Sequence, residues 1–183
     1  MLSVRTRQTY LKALGMYKGA IDGIAGPKTK TAYKTLQNKY FTRKQDRDGI
    51  YGNNTDILLQ SAYNCRDSKY FKLSEFRCKC GGSCTGYPAV ISSKLISILD
   101  ALRAYYGKPI TITSGVRCAA YNKRVGGVSN STHKKGRAAD IYIPGVTNTA
   151  ANRKKVVSKA YALGAAYSYA NTAQMGNAVH INV

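Results

Sequence analysis

The chain has 183 residues, 44% of them apolar and 20% charged, a globular composition with room for one domain or for a medium and a very small one. No apolar run approaches the roughly 20 residues that cross a bilayer, and the polar opening stretch Met1–Arg7 lacks an apolar leader core, so neither a membrane partner nor a retained signal peptide is expected. Twenty-nine Lys and Arg against eight Asp and Glu give a net charge of +21, spread over both halves, which asks for a polyanion: nucleic acid, anionic lipid or the phosphate-rich polymers of a bacterial wall.

In chain order, Val4, Tyr10, Leu11 and Leu14 predict a first helix that stops near Gly15. Asp22-Gly23-Ile24-Ala25-Gly26-Pro27-Lys28-Thr29 then returns, 26 positions later, as Asp48-Gly49-Ile50-Tyr51-Gly52-Asn53-Asn54-Thr55. Each copy reads as a turn followed by a helix start, with Pro27 at the first helical position and Asn53 or Asn54 as a cap. Ala32, Leu36 and Tyr40, then Ile57, Leu58 and Ala62, give the two following helices one apolar face each. Residues 1–66 are therefore expected to form a small all-α bundle of three helices, near the lower size limit for independent folding. The segment Leu11–Gly19 and the Asp22–Thr29 turn resemble the peptidoglycan-binding domain appended to many wall hydrolases. That resemblance implies a wall-binding surface, for which Tyr10, Tyr17, Tyr33 and Tyr51 are the candidate sugar-stacking aromatics.

Beyond Cys65-Arg66-Asp67 the pattern is mixed. Ile91, Leu95, Ile98, Leu99 and Leu102 predict a helix to Tyr106, stopped by Gly107-Lys108-Pro109. Ile110–Thr113 alternates like a strand, Ala139–Ile143 reads as a second, Thr149–Leu163 as a helix, and Ala165–Ala170 and Ala178–Val183 as closing strands. Residues 67–183 are thus expected to be an α+β domain with a small antiparallel sheet.

Only two histidines occur, His133 and His180. His133 lies in a glycine-containing loop seven residues before Asp140, and His180 lies on the last strand. If the two strands pair, alternation allows Asp140 and His180 to share one face, with Tyr142 and Asn182 on that same face of their respective strands. Two imidazoles and one carboxylate form a three-ligand set for Zn²⁺ that leaves a tetrahedral position open for water.

The ordered pieces Phe71–Cys78, Ile112–Arg117, Tyr121–Gly127 and Ser131-Thr132-His133-Lys134-Lys135-Gly136-Arg137-Ala138-Ala139-Asp140, with a later His180, resemble the zinc D-Ala-D-Ala carboxypeptidase family, which includes the peptidoglycan endopeptidases of many phage endolysins. The resemblance spans residues 70–183. It implies that His133, Asp140 and His180 bind one zinc ion and that Arg117 holds a substrate carboxylate or the carbonyl oxygen. Ser131 and Tyr142 are the further candidate substrate contacts. Relatives place a general-base carboxylate three residues before the last histidine or two after it; here those positions hold Asn177 and Asn182, whose amides are not bases. After Asp140 the chain has no acidic side chain at all. An inactive variant, recruitment of Glu75 or Asp100, and weak activity from zinc and Arg117 alone all remain open at this stage.

Five cysteines occur, at 65, 78, 80, 84 and 118. The Cys78-x-Cys80-x-x-x-Cys84 spacing is not the paired pattern of a zinc knuckle, so a disulfide from Cys118 to one member of that cluster is expected ahead of a second metal. The expected function is hydrolysis of a stem-peptide amide of peptidoglycan by a lysin-like monomer acting at the wall, with an endopeptidase favoured over a carboxypeptidase. A zinc-containing wall-binding protein without activity is the alternative. No nucleic-acid motif accompanies the interspersed charge, so nucleic acid is not an expected partner.

Overall fold

The computed structural model describes residues 1–170 and 172–183, with Thr172 and Gln174 described by backbone alone. Three helices open the chain: α1 (Val4–Ala13), α2 (Pro27–Tyr40) and α3 (Asn53–Cys65). Ser3 caps α1 by accepting from the Thr6 N–H, and Pro27 occupies the first turn of α2, where its missing N–H costs nothing. The expected asparagine cap of α3 does not form: Gly52 is the capping residue, without a side-chain hydrogen bond, and Asn53 already lies within the helix. Leu11, Leu36, Leu58 and Leu59 are fully buried between the helices. Tyr17 and Tyr33 are buried with them, so two of the four aromatics expected at a wall-binding surface belong to the core instead.

The duplicated turns are held by two glutamines. Gln8 on α1 donates through Nε2 to Asp22 Oδ1 (2.7 Å) and the Ile24 carbonyl (3.0 Å), while its Oε1 accepts from the Gly23 N–H (2.8 Å). Gln37 on α2 repeats the pattern on the second turn, donating to Asp48 Oδ1 (3.1 Å) and the Ile50 carbonyl (2.9 Å) and accepting from the Gly49 N–H (2.7 Å). Both amides are completely buried, and each donor and acceptor finds a partner, as a buried amide requires.

The second region follows without a gap in the core. It contains α4 (Ser93–Tyr106), β1 (Thr111–Ser114), α5 (Ala119–Arg124), β2 (Ala138–Tyr142), α6 (Ala150–Ala162), β3 (Tyr167–Tyr169), the single turn α7 (Thr172–Met175) and β4 (Val179–Asn182). The sheet runs β1-β2-β4-β3 and every neighbouring pair is antiparallel. Ser92 caps α4, and Gly107 ends it in the left-handed region. Leu95, Leu99 and Leu102 of α4 and Val156 and Ala160 of α6 are buried in the same core as Ile141, Val179 and Ile181 of the sheet. Each large aliphatic residue so buried contributes about 1.5–3 kcal/mol. The short α5, too brief for a helical period to show in sequence, was not anticipated.

The two regions are joined by buried polar contacts as well as by a continuous apolar cluster. Ser61 and Asn64 of α3 bracket Ile91: its N–H donates to Ser61 Oγ (3.1 Å), and its carbonyl accepts from Asn64 Nδ2 (2.8 Å). Thr42, just past α2, donates its N–H to the Thr85 carbonyl (3.3 Å), and Tyr40 meets Tyr87 edge-on. All five cysteines are free thiols; Cys118 does reach the Cys78–Cys84 turn, but the expected disulfide is absent. Among the described residues no helix is long and apolar enough to cross a membrane.

Candidate metal centre

Strand pairing sets the site. The β2–β4 register places Asp140 directly opposite His180, and the alternation along β4 turns Val179 and Ile181 away from them into the core. His133 enters from a 3-10 turn, Thr132–Lys135, that ends at Gly136. No other residue would serve at 136: its φ is +68°, and a Cβ there would stand 2.0 Å from the Val90 carbonyl oxygen, while Ser92, two residues further on, donates its N–H to Gly136 O.

All three side chains are buried, and their ligand atoms converge. His180 Nδ1 lies 2.8 Å from Asp140 Oδ1, His133 Nε2 lies 3.2 Å from the same oxygen, and the two ring nitrogens are 3.3 Å apart. His133 Nδ1 can only donate to the Gly115 carbonyl, 2.7 Å away, because a carbonyl only accepts. That bond fixes the tautomer and leaves the Nε2 lone pair aimed at Asp140 Oδ1, acceptor against acceptor. A cation at the centre resolves the conflict. Nitrogen and oxygen ligands on tetrahedral zinc stand about 3.3 Å apart, close to these spacings, so the donor set fits a borderline-soft divalent ion.

Asp140 divides its two oxygens. Oδ1 faces the imidazoles, while Oδ2 accepts from Arg117 Nη2, and Arg117 Nε in turn donates to Ser114 Oγ (2.7 Å).

The cluster forms the floor of a cleft of about 810 Å³ whose walls include Ser131, Arg117, Tyr169 and Asn182. Of the candidate metal ligands and substrate contacts, Tyr142 alone stays out of the cleft: its hydroxyl donates to Asn148 Oδ1 (3.0 Å) beyond the end of β2. Asn177 is also turned away, its Oδ1 accepting from Arg153 Nη1 (3.0 Å). The Asn182 amide lies 3.4 Å from His180 Nε2, on the side of the ring opposite the Asp140 contact, and 3.4 Å from Thr132 Oγ1. Glu75 and Asp100 are engaged elsewhere, with the Lys72 N–H and the Ser68 hydroxyl respectively. Among the described residues no carboxylate but Asp140 lines the cleft.

Tyr169 was not singled out in sequence. It sits opposite His180 on the β3–β4 pair, with its ring 4.8 Å from the imidazole. Burial first, and the Asp140 charge next, raise its phenol, which therefore stays protonated and able to donate. The signal that could have found it is its position on a strand register beside the last histidine.

Comparison with known proteins agrees with both halves of this architecture. Residues 2–56 match a putative peptidoglycan binding domain. The zinc D-Ala-D-Ala carboxypeptidase of Streptomyces albus G is 33% identical over 150 residues, which cover 74% of this chain and 56% of that protein. The match thus takes in little more than half of the relative's length. Residues 69–181, which contain the whole of the convergent His–Asp–His cluster and its cleft, match the Peptidase M15 family, and the chain belongs to that family.

Proposed function

We propose that this chain is a zinc-dependent peptidase that hydrolyses an amide of the peptidoglycan stem peptide, with His133, Asp140 and His180 as the metal ligands. The observation that carries this reading is the approach of His133 Nε2, Asp140 Oδ1 and His180 Nδ1 to within 3.3 Å of one another on the floor of an open cleft. Zinc, when bound there, supplies a Lewis acid and an acidified water. Arg117 holds Asp140 oriented through Oδ2 while lining the cleft, where its remaining donors suit a substrate carboxylate or carbonyl oxygen. Tyr169 offers a neutral hydroxyl for the same oxygen or for the departing amine. Ser131 adds a polar contact at the cleft wall. Asn182 supports the outer nitrogen of His180 and takes no proton.

The wall anchor in this reading is residues 1–66 and the catalytic part residues 67–183. A groove of about 480 Å³ between the second turn and α2 supports the anchoring role. Arg7 stacks over Tyr51 at 3.8 Å beside it, and the buried Tyr33 hydroxyl that lines it has no partner among the described residues. A net charge of +21 draws the protein, as a monomer, to anionic wall polymers. Attack on an internal bond, L-Ala-D-Glu or a cross-bridge, is favoured over removal of a terminal D-Ala.

The test is release of new amino groups from purified cell walls with and without a chelator, with fragment masses identifying the bond. Slow, chelator-sensitive release is the expected result. Binding to walls without release, even with zinc added, would establish the second reading, a catalytically silent wall binder, which the absence of a second carboxylate from the described cleft residues favours.

A further inference from the structure

Four of the five cysteines come together away from the cleft floor. The sulfurs of Cys78, Cys80, Cys84 and Cys118 all lie within 4.8 Å of one another, and Cys80 and Cys84 are 3.5 Å apart. Four sulfurs at the corners of a zinc tetrahedron, each about 2.3 Å from the ion, stand about 3.8 Å from each other. Two disulfides would instead divide the four into two pairs at about 2 Å; here the thiols are free and grouped as one set. The fifth, Cys65, is excluded, with its thiol on the Phe71 carbonyl and its acidity suppressed, pushed up to about 12, by burial.

The surroundings are those of a closed metal site. Cys78 and Cys80 are buried, and Cys84 and Cys118 are partly so. Backbone N–H groups point at three of the sulfurs: Cys118 N–H at Cys78 Sγ (3.3 Å), Gly86 N–H at Cys84 Sγ (3.3 Å) and Tyr121 N–H at Cys118 Sγ (3.4 Å). Such donors disperse the charge of metal-bound thiolates, as outer hydrogen bonds do at other metal centres. Lys79, within the loop, and Arg124, whose guanidinium donates to the Lys79 carbonyl, add positive charge beside it.

We propose that Cys78, Cys80, Cys84 and Cys118 hold a structural zinc ion, separate from the His–Asp–His centre and without an open coordination position. Its role follows from what it clamps. Cys118 directly follows Arg117, and Val116 donates its N–H to the Phe76 carbonyl (2.9 Å), so the ion fastens the Asp140-holding arginine to the loop at 76–84. At the other side, Thr42 donates to the Cys84 carbonyl (3.2 Å), tying the same loop to the end of α2.

This inference is independent of whether the cleft hydrolyses anything, and its test keeps the two apart. The full chain, purified without chelator, is assayed for zinc by plasma emission alongside a His133→Ala/His180→Ala variant, in which only the cysteine site is left to bind metal. One zinc per chain in that variant is expected, lost on adding Cys84→Ser and Cys118→Ser. Because the cysteine variants can fail to fold, cobalt(II) is also exchanged into the unaltered cysteine set. A strong sulfur-to-cobalt charge-transfer band is then expected, with four thiols reactive only after the metal is stripped. A histidine variant free of zinc, a cobalt form without that band, or an intact mass showing the hydrogen loss of two disulfides would each overturn the proposal.

Discussion

The amide clusters under the Asp-Gly turns and the His–Asp–His cluster under the cleft are both buried polar groups, yet they are built on opposite rules. Around Gln8 and Gln37 every donor meets an acceptor, so the network is complete without any outside atom. Around Asp140, acceptors are pressed against acceptors: the His133 Nε2 lone pair faces a carboxylate oxygen already shared with His180. The first arrangement spends its polarity on holding two turns in place. In the proposed reading the second keeps its polarity for a cation, and the rest of the fold holds the three side chains together in the meantime.

Breaking the second cluster should have the largest effect. His180→Ala is expected to abolish zinc retention at the cleft and to lower amine release from cell walls to that of the chelated protein; retention of both would show that the cluster is not the metal centre. Asn182→Asp should sharpen the contrast, since general-base carboxylates contribute about 10²–10⁴-fold. We expect a rise of about 10²-fold in amine release, read as initial rates. No gain would leave position 182 as a support for the His180 ring alone.

Gln37→Ala breaks the complete network instead. It leaves the Gly49 N–H and the Asp48 carboxylate without their buried partner and should cost about 2 kcal/mol, measured as a lower urea midpoint, with metal content unchanged. A change in metal content with little loss of stability would show that the two clusters do not differ in this way.

A smaller effect is expected with pH. Burial tends to raise the Asp56 carboxyl, but the Leu2 N–H, the Tyr51 hydroxyl, the N-terminal charge and the Gln60 amide together hold it below its ordinary value. A depressed folded-state pKa means the stabilisation is fully present above the unfolded value, about 3.9, and is lost as pH falls through the lower folded value. Thermal midpoints should therefore fall more steeply below pH about 4 in the natural chain than in Asp56→Asn. Smallest of all, Tyr169→Phe should slow amine release by about tenfold, a magnitude suited to one hydrogen-bond donor, without altering zinc content.

How much of this was legible in sequence depended on whether the signal was local. The duplicated Asp-Gly turns announce themselves by their 26-residue offset, and a chain with two histidines narrows any imidazole site to His133 and His180. Gln8 and Gln37 gave no such hint, because a glutamine on a helix is ordinarily a solvated one and only the closing of the bundle buries it. Which of Tyr10, Tyr17, Tyr33 and Tyr51 face outward was not legible either, because a tyrosine serves core and surface equally well, and Tyr17 and Tyr33 turn out to be buried. Tyr142 shares a strand with Asp140, but at the strand's end its hydroxyl reaches Asn148 and not the cleft. The cysteine cluster depends on Cys118 returning to a loop it left 34 residues earlier at Cys84, a meeting that no local spacing rule describes.

The bracket that Ser61 and Asn64 place around Ile91 has a consequence for how the molecule comes apart. Cutting the chain near residue 66 would strand both backbone polar groups of Ile91 and bare apolar side chains on each side of the cut. Neither fragment would inherit a finished surface. Denaturation is therefore expected as a single cooperative transition, in which the two halves melt together although each has its own sequence family.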